Sequence, residues 1–376
     1  MSDYLGSDIK NLGFGFMRLP MKGEELDKEQ VNSMVDHFMS NGFTYFDTAY
    51  VYHGGKSEGY LKEALVERYP RESFQVATKL PFWGIETAEK LPEMFEESLN
   101  RMGVEYFDFY LIHCINRGLI EKIDEYGAWE LIKEKKAEGK IKHIGFSFHD
   151  NAEFLDELLT KHPEVEFVQL QINYIDWESE NVQSRLCYEV AQKHGKPVII
   201  MEPIKGGTLA AVTPKADKIF KDYSPEMSTA SWAIRYAASL DNVITVLSGM
   251  STMEQVEDNV SYMKDFKKLS DEEQDCIEKA VTVINNIPTI PCTGCNYCVE
   301  GCPMDINISR LFGVFNNHKK FGADANKPTN NFQFEQATKD KAKPSECIAC
   351  GACQSHCPQN IEIIDELAKI ASLYEN

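Results

Sequence analysis

Residues 43–58 read Phe43-Thr44-Tyr45-Phe46-Asp47-Thr48-Ala49-Tyr50-Val51-Tyr52-His53-Gly54-Gly55-Lys56-Ser57-Glu58. A short apolar run is closed by an acid and followed by a polar, glycine-bearing loop, which is how a buried strand hands over to a connection. The same grammar recurs on both sides. Apolar runs at 12–17, 43–46, 74–78, 107–112, 143–147, 165–170, 197–201 and 243–247 alternate with amphipathic stretches such as 28–40, 88–101, 129–138, 184–193 and 228–238. Asp27 and Gln30 stand in capping-box positions before the first of these, and Ser251 with Glu254 repeats the relation in the last unit. Strand-then-helix units repeated eight times predict a closed (β/α)8 barrel; a doubly wound open sheet would give a similar alternation.

The polar residues sharpen the choice, because a barrel gathers its chemistry at the carboxyl ends of its strands. Asp47 ends the second run, Tyr52 follows in the loop, Lys79 ends the third and His113 ends the fourth. The segment Asp47-Thr48-Ala49-x-x-Tyr52-x-Gly54-x-x-Ser57-Glu58 resembles the signature of the aldo-keto reductase family, and Lys79 and His113 complete what resembles its catalytic tetrad. The resemblance runs from about residue 8 to 265. It implies interconversion of a carbonyl and an alcohol with a nicotinamide cofactor, NAD(P), and a small-molecule substrate. The cofactor contacts it implies are Met17 and Arg18 in the opening stretch, Ser147 at the fifth strand end, Gln171 with Tyr174 at the sixth, and the loop 248–259 with Ser248, Gly249, Ser251, Gln255 and Asn259. Gly206-Gly207 and Ser248-Gly249 follow the seventh and eighth strands, where barrels commonly cradle phosphate. The opening residues 13–20 resemble a branch of the family that carries a ferredoxin tail.

The chemistry stands without the family. Carbonyl reduction needs hydride at carbon and a proton at the oxygen as negative charge grows there. Tyrosine can give that proton if a neighbouring ammonium draws its pKa toward working pH. Lys79 would do so, Asp47 would hold Lys79, and His113 would donate to the carbonyl oxygen. The chain departs from the family where Phe148 and His149 follow Ser147, and where 201–203, Met-Glu-Pro, offers no ring to stack on a nicotinamide. Glu202 reads as a loop carboxylate, and His149 as a substrate contact or a structural hydrogen bonder. Phe82, Trp83 and Trp177 lie in loops of the same face as an expected apolar lining.

The last third is a different kind of sequence. Cys292, Cys295, Cys298 and Cys302 precede Pro303, and Cys347, Cys350, Cys353 and Cys357 precede Pro358 in the same spacing. That run is a ligand pattern of paired [4Fe-4S] clusters, in which the fourth cysteine reaches across to the other cluster. The pattern assigns Cys292, Cys295, Cys298 and Cys357 to one cluster and Cys347, Cys350, Cys353 and Cys302 to the other. Zinc sites are commonly two separated Cys-x-x-Cys pairs, and disulfides do not suit a reducing compartment. Cys114, Cys187 and Cys276, outside the runs, read as small buried apolar residues. Helical patterns at 308–321 and 362–373, with a long spacer, resemble the α-helical ferredoxin type; 326–343, rich in Asn, Lys and Thr, reads as an irregular surface loop. The expected organisation is a barrel domain at 1–268 and a small, mainly α-helical dicluster ferredoxin-like domain at 269–376.

A formal net charge of −20 on 376 residues disfavours nucleic acid and anionic membrane as partners. No apolar run approaches the roughly 20 residues that span a bilayer, and the opening MSDYLGSDIK carries no secretory pattern, so a cytoplasmic protein is expected. Nicotinamide moves electrons in pairs and each cluster moves one, so a flavin would bridge them, and a soluble electron carrier is a further expected partner. The alternative is an electron-transfer protein, flavin-mediated or partner-docking, in which the clusters are the main redox centres.

Overall fold

The computed structural model describes residues 5–82, 84–321 and 326–375; Trp83 lies outside them. Strands β1 (Leu12–Gly15), β2 (Tyr45–Asp47), β3 (Gln75–Leu80), β4 (Phe107–Ile115), β5 (Ile141–Phe148), β6 (Phe167–Gln171), β7 (Val198–Met201) and β8 (Val243–Ser248) form a closed parallel barrel. The ring closes through Leu12↔Val246 and Gly13↔Leu247, while β1 meets β2 through Gly15↔Asp47. Closure removes the open-sheet alternative.

The strands are buried on both faces, as expected where helices cover the outside and side chains fill the inside. Tyr45, Phe109 and Phe167 fill the interior, with edge contacts at ring-centroid distances of 5.1 and 5.2 Å. The Phe167 ring leaves no space for a side chain on β5. A Cβ on Gly145 would lie 2.5 Å from it, so only glycine fits there.

Two local expectations are corrected and a third is met. β4 does not stop before His113 but runs through it to Ile115, with a register shift between Ile112 and Ile115 where Cys114 takes a φ of 60°. Such a bulge re-aims side chains at a barrel rim. The Asp27 cap forms as expected, its Oδ1 accepting from Gln30 N at 3.2 Å. In the last unit, however, Thr252 is the cap of the helix Met253–Met263, while Ser251 Oγ donates to Arg18 O at 2.6 Å.

Contacts divide the chain into two compact units, Met1–Pro203 with Ser231–Ser270, and Ile204–Ala230 with Asp271–Asn376. The second unit thus takes in more than the expected tail, because the helix Pro214–Tyr223 packs against Asp271–Asn285. Its core is built from Ile306, Ile308, Leu311, Phe312, Ile363, Leu367 and Ile370 together with cluster-run cysteines. Residues 327–338 are a helix, Lys327–Thr338, in place of the expected loop. Pro328 in its first turn pre-sets the backbone, and Asn330, Phe334 and Ala337 turn inward at helical spacing, the Phe334 ring stacked at 4.7 Å on Tyr374.

Candidate active site and cysteine runs

The loop carrying Tyr52 is tied down from beneath. Thr48 N donates to Ala77 O at 2.9 Å, Thr48 Oγ1 to Ser57 Oγ at 2.8 Å, and Ser57 Oγ to Phe16 O at 3.0 Å, joining the ends of three strands. Gly54, at a φ of 64°, allows the tight turn after Tyr52. Glu58 is fully buried and accepts from Thr78 Oγ1 at 2.7 Å; burial raises its carboxyl pKa against the pull of Thr78, Ser98 and Arg101. The signature residues around Tyr52 are therefore the struts of its loop.

Lys79 is buried and donates to Asp47 Oδ1 at 2.5 Å and to Thr48 O at 2.7 Å. Its Nζ lies 5.1 Å from the centroid of the Tyr52 ring. Burial opposes the ammonium, but the charge of Asp47, the proximity of Tyr52 and the hydrogen bonds to both carry Lys79 above the usual lysine range. Burial works on Asp47 in the other sense, raising its pKa against the attraction of Lys79 and the hydrogen bond from it. At Tyr52 burial again dominates. It raises the phenol above its ordinary value, Lys79 pulling down while Asp47 and Glu202 push up. The expectation that Lys79 would draw Tyr52 down is thus not met on balance: the desolvation of a nearly sealed phenol outweighs one neighbouring ammonium. Tyr52 stays protonated at neutral pH, the form that can give a proton. His113, 5.9 Å from Tyr52 between ring centroids, is held well below the usual histidine range by burial, by Lys79 and by His149. It is a neutral imidazole.

Around this quartet, Ser147 Oγ accepts from Cys114 N at 2.7 Å, so the bulge on β4 locks the end of β5. His149 and Gln171 line a cavity of about 230 Å³ together with Phe148, Asp150 and Cys187. Burial lowers the His149 pKa. In the loop after β8, Ser248 Oγ accepts from Asn259 Nδ2 at 2.9 Å, and Ser251 N donates to Gln255 Oε1 at 2.7 Å. Met17 is exposed, and the stem of exposed Arg18 lies over Gly249, whose added Cβ would meet Arg18 Cδ at 3.2 Å. Gly206 and Gly207 fall in the second unit, in the turn Lys205–Ala210, with φ of 65° and 100°.

Of the expected aromatic lining, Phe82 and Trp177 fall among the described residues. Trp177 packs on Tyr236 and Tyr188, at ring-centroid distances of 6.0 and 5.7 Å, and so pins its loop to helices, while Phe82 is wholly buried. Asn173 and Asp176, both buried, were not singled out from sequence. Polar residues just after a strand read as a turn, and Asn173 does make one, accepting from the N–H of Ile175 and Asp176.

In the second unit Cys302, Cys347, Cys350 and Cys353 border one apolar cavity with Ile306, Ile308, Ile348, Ile364 and Leu367. Cys302 from the first run stands among three cysteines of the second. Burial raises the Cys353 thiol, as do Cys347, Cys302 and Cys350 beside it; Cys298 is pushed up to about 11 by burial, then by Cys292, Cys295 and Cys353. Thiols crowded in this way ionise together only around a cationic core, so the donor set fits iron. Among the described residues no three His, Cys, Asp or Glu side chains close on a single metal ion. Cys187 and Cys276 are buried as expected, and Cys114 is half-buried.

A closed barrel with a tyrosine, a buried lysine–aspartate pair and a neutral histidine at its strand ends is the frame of an oxidoreductase. Residues 11–282 match the Aldo/keto reductase family, and residues 291–362 match a 4Fe-4S dicluster domain. The chain belongs to the aldo/keto reductase family and carries an iron-sulfur domain. It is similar to a probable aldo-keto reductase 1 of Glycine max, 33% identical over 153 residues, which cover 38% of this chain and only 42% of that protein. The holo form of an aldo-keto reductase from Bacillus halodurans matches with a TM-score of 0.58 and 26% identity, over 74% of this chain and 95% of its own. An aldo-keto reductase from Klebsiella pneumoniae in complex with NADPH matches with a TM-score of 0.58 at 20% identity, over 72% and 90%. Among the described residues no helix is long and apolar enough to cross a membrane.

Proposed function

We propose that the barrel interconverts a carbonyl and an alcohol with a nicotinamide cofactor, and that the cluster domain exchanges electrons with it or with a carrier. The observation that carries the first part is Lys79 Nζ set between Asp47 and the Tyr52 ring in a buried mouth. Tyr52, protonated, gives its proton to the carbonyl oxygen. Lys79 stabilises the phenolate that remains, Asp47 keeps Lys79 charged and oriented, and the neutral His113 donates an N–H to the same oxygen. Run backwards, the phenolate takes the proton of an alcohol. Membership of the aldo/keto reductase family, one of whose structures is a complex with NADPH, supports a nicotinamide cofactor, and Ser147, Gln171, Ser248 and Asn259 at and after the strand ends are proposed to offer the hydroxyl and amide groups to hold it. When bound, nicotinamide supplies the hydride and each cluster supplies or takes one electron.

Cys292, Cys295, Cys298 and Cys357 would hold one cluster, and Cys347, Cys350, Cys353 and Cys302 the other. We keep 1–268 and 269–376 as the proposed domains, with Gly206 and Gly207 as phosphate candidates on their place after β7. A cytoplasmic setting, with a soluble electron carrier as partner, fits the acidic chain.

Two results test this. Under anaerobic conditions and without carbonyl, reduced nicotinamide should pass its two electrons on, one to each cluster, and give a reduced-cluster electron paramagnetic resonance signal that decays when carbonyl substrate is added. Clusters that stay oxidised while carbonyl is consumed would sink the electron-exchange part. In direct titration NADH should bind at least as tightly as NADPH, because Gly249, Ser251 and Gln255 give a 2′-phosphate no bidentate cation. A strong NADPH preference lost in Arg18→Ala would transfer that role to Arg18.

A further inference from the structure

Asn326 stands directly before the helix Lys327–Thr338, where an asparagine ordinarily turns its side-chain oxygen onto the N–H groups of the first turn. Here it makes no such cap. The residue is only 4% exposed, and its Nδ2 donates to Phe321 O at 2.7 Å, to Ala211 O at 2.9 Å and to Thr208 O at 3.1 Å. Backbone carbonyls only accept, so the amide has one orientation, with its two N–H groups shared among three oxygens. Two of those oxygens lie 115 and 118 residues earlier, in and just after the turn Lys205–Ala210 that carries Gly206 and Gly207. All four residues belong to the second unit.

The turn is built to meet something. Gly207 N and Leu209 N both donate to Ile204 O, at 3.1 and 3.0 Å, and a Cβ on Gly207 would find nothing within 4 Å, so open space lies before its backbone. Two adjacent glycines lose more conformational freedom on ordering than any other pair. A loop ordered before its ligand arrives leaves that cost out of the binding step. We propose that Asn326 is a positioning residue through which the tail holds the Gly206-Gly207 turn in its ligand-ready shape, so that the tail serves the pyrophosphate of a nucleotide as well as the clusters. The inference rests on the reading that gives phosphate to Gly206 and Gly207, and goes beyond it by naming what keeps their turn in place.

The test uses the full chain with two variants at this clasp. Asn326→Ala removes the amide, and Asn326→Asp keeps its size while replacing the donors by an oxygen. In both, amide hydrogen exchange over residues 205–211 should quicken. NAD⁺ and ADP-ribose, which share the pyrophosphate, should each bind about tenfold more weakly in direct titration, the scale of a lost hydrogen bond, while iron content stays native. Native-like exchange over 205–211 in Asn326→Ala overturns the inference, because the turn then holds itself. A quickened turn that binds ADP-ribose with native affinity overturns it too. General loss of protection across the tail, with loss of iron, would make Asn326 a plain strut of the fold and remove its positioning role. Gly207→Val, which sets a branched side chain at a φ of 100°, separates the two layers. If that variant also binds ADP-ribose as native protein does, the phosphate reading of the turn falls, and this inference with it. If it weakens ADP-ribose while the Asn326 variants do not, the reading stands and the role of Asn326 alone is refuted.

Discussion

Tyr52→Phe is expected to lower the rate of carbonyl reduction by about 10² to 10⁴, the usual contribution of a placed general acid, while cofactor titration and thermal unfolding stay as in the native protein. The substitution removes one hydroxyl and leaves the ring near Lys79 Nζ, 5.1 Å from its centroid. The loop around it is held by Thr48, Ser57 and Ala49, none of which bonds to that hydroxyl. Undiminished reduction would show that Tyr52 is not the proton donor. Lys79→Met should reduce the rate comparably, but it is the less clean test. It strands the buried Asp47 carboxylate, and removing one partner of a buried ion pair typically destabilises by about 3–5 kcal/mol.

A second large effect is expected in the metal content. Anaerobically purified protein should hold about eight iron and eight labile sulfide per chain, and the double variant Cys302→Ala, Cys347→Ala should keep about four of each. Cys302 and Cys347 border the same cavity, so their joint loss empties one cluster and spares the other. If each run held its own cluster, the same double variant would damage both, and iron would fall toward zero. Stoichiometric zinc without sulfide would remove the cluster reading altogether.

The barrel was legible because its strands are short, mainly apolar and followed by polar residues, a pattern that depends only on neighbours in sequence. Asp47, Tyr52 and Lys79 could be found for the same reason. His113 was placed just beyond β4 because nothing local announces a bulge; only the pairing with β5 shows that the strand continues to Ile115. The helix Lys327–Thr338 was hidden by its Asn and Thr content, which disfavours an isolated helix, and it exists because Phe334 and Ala337 find a core contributed by distant segments. The pKa direction at Tyr52 was misjudged because burial cannot be weighed from a sequence, whereas a neighbouring lysine can be counted.

The place of Cys302 among three cysteines of the later run has a consequence in time. A ribosome makes residue 302 well before residue 347, and the helix Ile308–Phe321 and the helix Lys327–Thr338 lie between them. A chain caught between those two points has no four-thiol cavity, however much iron the cell supplies. In the proposed pairing, loading of the second run waits until the intervening helices have been made and the two runs brought together, so iron bound by these four thiols would mark a chain whose synthesis has passed residue 353 and whose tail has already folded back on itself.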